Sequence, residues 1–409
     1  MSSMEDVGLT GDGVARLEQK IQSLIDRDKV AGLITLLWRG SSDPDDKAPH
    51  PYTRAYGMRD REFGEPMEPA TLMRIASLTK PITAAATLML VEEGRLDLEA
   101  PVSQYIPGFA ELRVLVDEES EATAPLERPI TLHHLLTHTS GLASGLFDGP
   151  VESQYRRARV TRMPKAELIE TLQGLPLVAQ PGDRFHYSIG YDVLGTIIEL
   201  AAEQPFDVFL RDRIFQPLGM RDTGFVVPEV LADRLAAVYA APRGDGDLRR
   251  LDDEPDELDQ NRPRSGSGGL ISTAADYLRF MRMILQGGEL DGNRLLQPET
   301  ATLMTTNHIP EALRPISMGP DEMQGMGYGY GVGVKVTPPK STGDPPEGTF
   351  WWAGMTGTLA WGDPSHALIG IVLAQAMRYW EPAYTFQRLV YRALRENDNK
   401  QPDYEGGNP

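Results

Sequence analysis

Arg74-Ile-Ala-Ser77-Leu-Thr-Lys80-Pro81-Ile-Thr-Ala84 is the stretch on which the reading of this chain turns. It holds the only Ser-x-x-Lys in the sequence, and Pro81 stands where a first helical turn accepts proline. From Leu78 to Glu93 the apolar residues Leu78, Ile82, Ala85, Ala86, Met89 and Leu90 recur at helical spacing, and Gly94 is placed to stop the run. The prediction is a helix that opens at Ser77 and Lys80. Three positions apart on a helix, two side chains share one face and reach each other. A serine hydroxyl is a poor nucleophile until a neighbour takes its proton, and an amine at this spacing can assist. A helix start also presents free main-chain NH groups and a positive dipole end, which favour developing negative charge. On spacing alone, a capping serine and a surface lysine would account for the same residues.

Working outward, Val14, Leu17, Ile21, Leu24 and Ile25 recur at helical spacing, ahead of the run Ala31 to Trp38, which reads as a buried strand. Tyr52 to Gly57 reads as a second strand, joined to the first across a Ser/Asp/Pro loop. Tyr191 to Glu203 places Leu194, Ile197, Ile198 and Ala201 on one helical face, and Tyr277 to Leu285 is a helix after the capping pattern Thr273-x-x-Asp276. The acidic stretch from Gly244 to Pro263 has no periodicity and reads as a long loop with a solvated face. Gly331 to Thr337, Thr349 to Trp352, Thr358 to Trp361 and Ala367 to Gln375 read as strands, closed by a helix carrying Phe386, Leu389, Val390, Ala393 and Leu394. With strands at both ends and helices between, the expected fold class is mixed α/β: one mainly antiparallel sheet built from both termini, flanked by helices, with an inserted helical domain. Residues 1–85 and 200–409 are assigned to the sheet domain and 86–199 to the insertion, with a disordered tail at 401–409.

The chain has 409 residues, and 40 Lys plus Arg against 59 Asp plus Glu give a formal net charge of −19. That balance argues against a nucleic-acid partner, which needs a basic face. With no cysteine, disulfides, thiolate zinc sites, iron-sulfur clusters and a cysteine nucleophile are excluded. No Gly-x-Ser-x-Gly elbow occurs. The N-terminus lacks a basic start followed by an apolar segment, and the longest apolar run, Val30 to Trp38, is far short of the ~20 residues that cross a bilayer. A cytoplasmic protein without membrane contact is expected. Gly11-Asp-Gly and Gly266-Ser-Gly-Gly269 lack the Walker lysine and the strand-then-helix frame of nucleotide sites, so no cofactor is expected.

Arg74 to Ala84 resembles the nucleophile segment of the serine β-lactamase and penicillin-binding-protein superfamily, especially class C β-lactamases and family VIII carboxylesterases. Four further segments resemble it in the same order. These are Leu135-Leu-Thr-His-Thr-Ser-Gly-Leu142, His186-Tyr187-Ser188-Ile189-Gly190, Gly268-Gly-Leu-Ile-Ser-Thr273, and Trp352-Ala353-Gly354 in the place of the Lys-Thr-Gly motif. The resemblance spans residues 12 to 395 and implies a β-lactamase-like fold with its site between the two domains. It implies Ser77 as nucleophile, Lys80 as its proton partner and Tyr187 as the second-motif tyrosine. A free tyrosine titrates near 10, so a tyrosine base at neutral pH needs a cation beside it, and Lys80 is the natural candidate. The implied oxyanion hole is the NH of Ser77 and that of Met355, which any residue but proline can supply.

The departures are as informative. Tyr187-Ser-Ile189 replaces Tyr-x-Asn, and Trp352-Ala-Gly354 replaces Lys-Thr-Gly. The side-chain amide and the cation that hold a β-lactam are thereby absent from their motifs, as in family VIII esterases. Ile189, Trp352 and Gly354 are taken as substrate-binding positions, with Trp351 beside them, forming an apolar acyl slot. His134 and His138, four apart, could share a helical face as metal ligands, but they fall in the family's structural signature and no metal is expected. His186 adjoins Tyr187 and could tune it. The expected function is cleavage of short-chain carboxylic esters through an acyl-enzyme on Ser77, with a small-molecule ester as partner. Acyl transfer, weak promiscuous β-lactamase activity and a catalytically silent binding module are the competing readings.

Overall fold

The structure, a computed structural model, describes residues 7–40, 50–117, 121–241, 247–252, 256–319 and 321–398, so the expected disordered tail at 401–409 lies outside the described residues. The run Gly32–Arg39 forms strand β1, buried along almost its whole length. Such a run cannot turn a face to water, and it lies inside a sheet covered on both sides. That sheet has eight strands. Two come from the N-terminal side of the chain beside β1, namely β2 (Tyr52–Asp60) and β3 (Glu65–Pro66). The C-terminal side supplies β4 (Met326–Tyr328), β5 (Gly333–Lys335), β6 (Phe350–Gly354), β7 (Thr358–Asp363) and β8 (Leu368–Ala374). The spatial order is β4-β5-β6-β7-β8-β1-β2-β3, with every neighbouring pair antiparallel. The two chain ends meet where β1 pairs with β8, from Leu33 opposite Ala374 to Arg39 opposite Leu368. The content is mixed α and β, as expected, with one antiparallel sheet built from both chain ends.

Alternate side chains point to opposite faces. Leu33, Leu37, Trp361 and Val372 pack in one core with helices α1 (Gly11–Asp26) and α6 (Glu381–Asp398). Ile34, Leu36, Ile369 and Ile371 join the larger core on the other face, which holds α2 (Thr79–Glu92), α3 (Leu132–Leu136), α4 (Gly190–Ala202) and α5 (Ala274–Leu285). Helix α2 is buried on all sides from Thr79 to Leu90, as an apolar-all-round helix must be, and it packs on α4. It runs through the 85/86 position expected as a domain boundary. Ser77 sits in the short 3₁₀ turn Ala76–Leu78 that feeds into it. Among the described residues no helix is long and apolar enough to cross a membrane.

The acidic stretch departs from the expected solvated face. Arg74 Nη2 reaches Asp252 at 2.9 Å and Glu257 at 2.7 Å, and Arg262 pairs with Glu257 at 3.5 Å. Burial would push the Glu257 carboxyl up, but the hydrogen bond and charge of Arg74 hold it below its ordinary value. A buried carboxylate needs such a partner, and the partner lies about 180 positions away, beyond the reach of local patterning.

Candidate active site

The segment leading into Ser77 is held at several points. The carbonyl of Arg74 accepts from Thr356 Oγ1 at 2.8 Å and from Gln375 Nε2 at 3.1 Å, and that of Ile75 accepts from Thr358 Oγ1 at 3.3 Å. Ala76 is thereby fixed in the left-handed region at φ 47°, a conformation costing an alanine on the order of 1 kcal/mol. The turn aims the Ser77 hydroxyl at Tyr187, and the two oxygens are 2.7 Å apart. Lys80 lies one helical turn on, 2% exposed, and its Nζ donates to Ser77 Oγ at 3.3 Å and to the Ser267 carbonyl at 2.7 Å. The same Nζ is 4.6 Å from the centre of the Tyr187 ring. No carboxylate pairs with Lys80 among the described residues, and its Nζ is held by the Ser77 hydroxyl, one main-chain oxygen and the rings of Tyr187 and Tyr191.

Ser267 was not among the expected site residues. It belongs to the turn just before Gly268-Gly, where Asp192 Oδ1 accepts from Ser265 Oγ at 2.6 Å and from the Ser267 NH at 3.4 Å. A Cβ on Gly266 would lie 2.1 Å from the Tyr191 carbonyl, so only glycine lets this turn close on α4. Glu152 was missed as well. It is 2% exposed, accepts from the NH of Ser144 at 3.2 Å and of Phe147 at 3.4 Å, and meets His186 Nε2 at 2.6 Å. Burial would raise its carboxyl, yet the His186 hydrogen bond and these NH donors hold it below the ordinary range. His186 is thus bound to a buried carboxylate.

The two histidines of the central motif do not converge. His134 closes a capping box on Thr131, its Nδ1 accepting the Thr131 NH at 3.1 Å. His138 is wholly buried with its ring 4.6 Å from that of Tyr187, and its Nδ1 accepts the Ser188 NH at 3.2 Å. Burial, then the nearby Lys80, pushes His138 well below its ordinary pKa, so the ring is neutral. Among the described residues no group of three or more His, Asp or Glu side chains is arranged to hold a metal ion.

Gly354 ends β6 against the nucleophile turn. A Cβ there would stand 2.2 Å from Thr358 Oγ1, 2.6 Å from the Ile75 carbonyl and 3.1 Å from the Ala76 Cβ. Its absence of a side chain is what lets β6 close on the nucleophile turn, and Met355 and Ser77 line one cavity of ≈ 640 Å³ with Tyr187. Trp351, Trp352, Trp380, Tyr384 and Phe147 give that cavity aromatic walls, completed by Leu146, Met318 and Met323. Gly354 and Ile189, both expected at the substrate, are not lining residues. Gly354 spaces the backbone, and Ile189, 2% exposed, is buried in the core at the entry to α4. Arg378, unmarked by any motif, lines the cavity from an exposed loop position, and its NH donates to the Met355 carbonyl at 2.6 Å.

The arrangement can deprotonate a serine, receive an acyl group and return a proton to a leaving oxygen. The sequence profile of the Beta-lactamase family matches residues 50–391. Protein Rv1367c of Mycobacterium tuberculosis is 38% identical over 365 residues, covering 88% of this chain and 89% of its own. Esterase EstB of Burkholderia gladioli is 36% identical over 332 residues, covering 75% of this chain and 78% of its own. Among solved structures, EstCE1, described as a hydrolase with promiscuous acyltransferase activity, superposes with a TM-score of 0.78 at 26% identity, covering 96% of this chain and 100% of that one.

Proposed function

The chain belongs to the β-lactamase family, and from that premise we propose that it is a serine carboxylesterase of the family VIII kind, cleaving short-chain acyl esters through an acyl-enzyme on Ser77. The observation that carries the proposal is the convergence of Lys80 and Tyr187 on Ser77 at the wall of an aromatic cavity, with contacts of 2.7 Å from Tyr187 and 3.3 Å from Lys80 to the serine oxygen. Ser77 Oγ attacks the ester carbonyl while its proton passes to the Tyr187–Lys80 pair. The positive charge of Lys80, unpaired by any carboxylate among the described residues, stabilises negative charge arising on either oxygen. The NH groups of Ser77 and Met355 receive the carbonyl oxygen as it becomes an oxyanion. The proton then returns to the leaving alkoxide, and water repeats the sequence in reverse to free the acid. Trp351 and Trp352 offer apolar surface to a short acyl chain. Neither the Trp352 position nor the Ile189 position supplies the polar groups that would hold a lactam in its motifs.

Acyl transfer to an alcohol is a second reading, supported by the description of EstCE1. In that case an alcohol displaces water at the second step, with the same residues in the same roles. Steady-state hydrolysis of p-nitrophenyl butyrate by wild type and Ser77→Ala tests the proposal, and added alcohols that divert product from acid to ester reveal transfer. The expected outcome is turnover in wild type and a loss of at least ~10³-fold in the variant. Equal turnover in both proteins would refute the nucleophile.

A further inference from the structure

A second cavity, ≈ 550 Å³ in volume, adjoins the catalytic one and shares Phe147, Asp148 and Tyr187 with it. Arg184 and Arg314 line it. Neither guanidinium has an ion pair or hydrogen bond among the described residues, and the Arg314 Nε is buried without an acceptor. The other charges around the cavity are largely compensated. Asp183 pairs with Arg128 at 2.7 Å and His186 with Glu152 at 2.6 Å, leaving, among the described residues, the exposed Asp148 as the one carboxylate of the lining without a partner. Two unpartnered arginines beside a catalytic residue are unexpected in a chain of net charge −19, where carboxylates to pair them are abundant.

We propose that this cavity is the subsite for the alcohol half of the ester, and that it selects an alcohol carrying a carboxylate, held by Arg184 and Arg314. The inference rests on the reading of Ser77 as the acyl-enzyme nucleophile. In acylation the bond from Ser77 Oγ to the carbonyl carbon forms, the bond from that carbon to the alkoxide oxygen breaks, and the Tyr187–Lys80 pair passes the serine proton to the departing oxygen. A proton donor must lie within hydrogen-bond reach of the atom it protonates, so the alcohol leaves along Tyr187. Tyr187 lines both cavities, together with Phe147 and Asp148, whereas Met355 faces only the aromatic one, which takes the acyl chain. The planar fork of an arginine matches a carboxylate with two parallel hydrogen bonds, and a ligand carboxylate would supply the acceptors that these guanidinium groups lack. The recognition is of the leaving group, so it is compatible with the loss of the motif cation that holds a lactam.

The test compares two esters of one acyl chain, 4-(butyryloxy)benzoate and phenyl butyrate, on wild type, Arg184→Gln and Arg184→Gln/Arg314→Gln. The double variant is expected to lose at least ~10-fold in kcat/KM on the anionic ester, chiefly through KM, while phenyl butyrate changes less than ~2-fold. The wild-type preference is also expected to shrink as salt is raised. Arg184 is exposed, so the single variant folds, and it should show part of the effect. Equal losses on both esters, or no loss on the anionic one, would overturn the subsite while leaving the esterase reading intact. Turnover of neither ester by wild type would overturn the esterase reading and the subsite with it.

Discussion

The phenolic oxygen of Tyr187 stands 2.7 Å from the Ser77 hydroxyl although the two residues are 110 positions apart. One comes from the turn into α2 and the other from the loop into α4, and the packing of these two helices sets the distance. Lys80 touches the serine from the first turn of α2, so the three side chains form the proposed proton-transfer unit.

A unit of this kind fails as a whole. Lys80→Ala and Tyr187→Phe are each expected to lower kcat by at least ~10²-fold, and the double variant to lose much less than the product of the two. His186→Ala, which breaks a contact to Glu152 and none to Ser77, should cost far less. Multiplicative losses in a double-variant kinetic cycle would show that the residues act independently.

Gly354→Ala tests the spacing between β6 and the nucleophile turn. The new Cβ collides with the Ile75 carbonyl and Thr358, so Met355 must move away from Ser77. Such overpacking costs about 1–3 kcal/mol of stability, and kcat should fall with little change in KM, because the Met355 NH next to it is the proposed oxyanion donor. A denaturant midpoint and a kcat both equal to wild type would contradict the close approach.

His134 supplies a pH signature. Burial, with His133 and Arg128 nearby, lowers its pKa from 6.5 to about 4, and its Nδ1 accepts the Thr131 NH only while the ring is neutral. The unfolded chain binds this proton first, so the stabilisation is complete above pH 6.5 and is lost as the pH falls from there toward 4. His134→Gln keeps an acceptor without a titrating group. Its stability relative to wild type should therefore rise on acidification from pH 7 to 5, measured by thermal melts. A difference independent of pH would contradict the assignment.

Substrate class follows from the walls. The ester p-nitrophenyl butyrate needs an apolar slot and two NH donors, whereas a cephalosporin needs a cation on its carboxylate. Among the described residues Arg378 is the one cation lining the aromatic cavity, and at an exposed position its pull is screened by water. The kcat/KM for the ester is expected to exceed that for a cephalosporin by ~10² or more, or about 2.7 kcal/mol of transition-state stabilisation. Comparable values in one buffer would point to Arg378 as an effective replacement, which Arg378→Ala would reveal.

The sheet was legible because its strands are short apolar runs bounded by turn residues, and because the run from Ala31 to Trp38 leaves no polar face for water. Ser77 and Lys80 could be paired from spacing, since three positions on a helix define a distance. Tyr187 could not, and it came from the resemblance of its motif. Glu152, Ser267 and the Arg74 ion pairs depend on contacts between segments 34 to 187 positions apart, for which local periodicity carries no signal. Ile189 was misplaced for a related reason. It was placed at the substrate from its position in the Tyr-x-Asn motif, but the chain turns into α4 at that point and carries the isoleucine into the core.

The most direct test is covalent. Wild type incubated with a p-nitrophenyl alkylphosphonate should gain the mass of one adduct in intact-protein mass spectrometry, and fragmentation should place it on Ser77. Ser77→Ala should gain none, and Lys80→Ala and Tyr187→Phe should label slowly. An adduct on another residue, or undiminished labelling of Ser77→Ala, would contradict the acyl-enzyme mechanism.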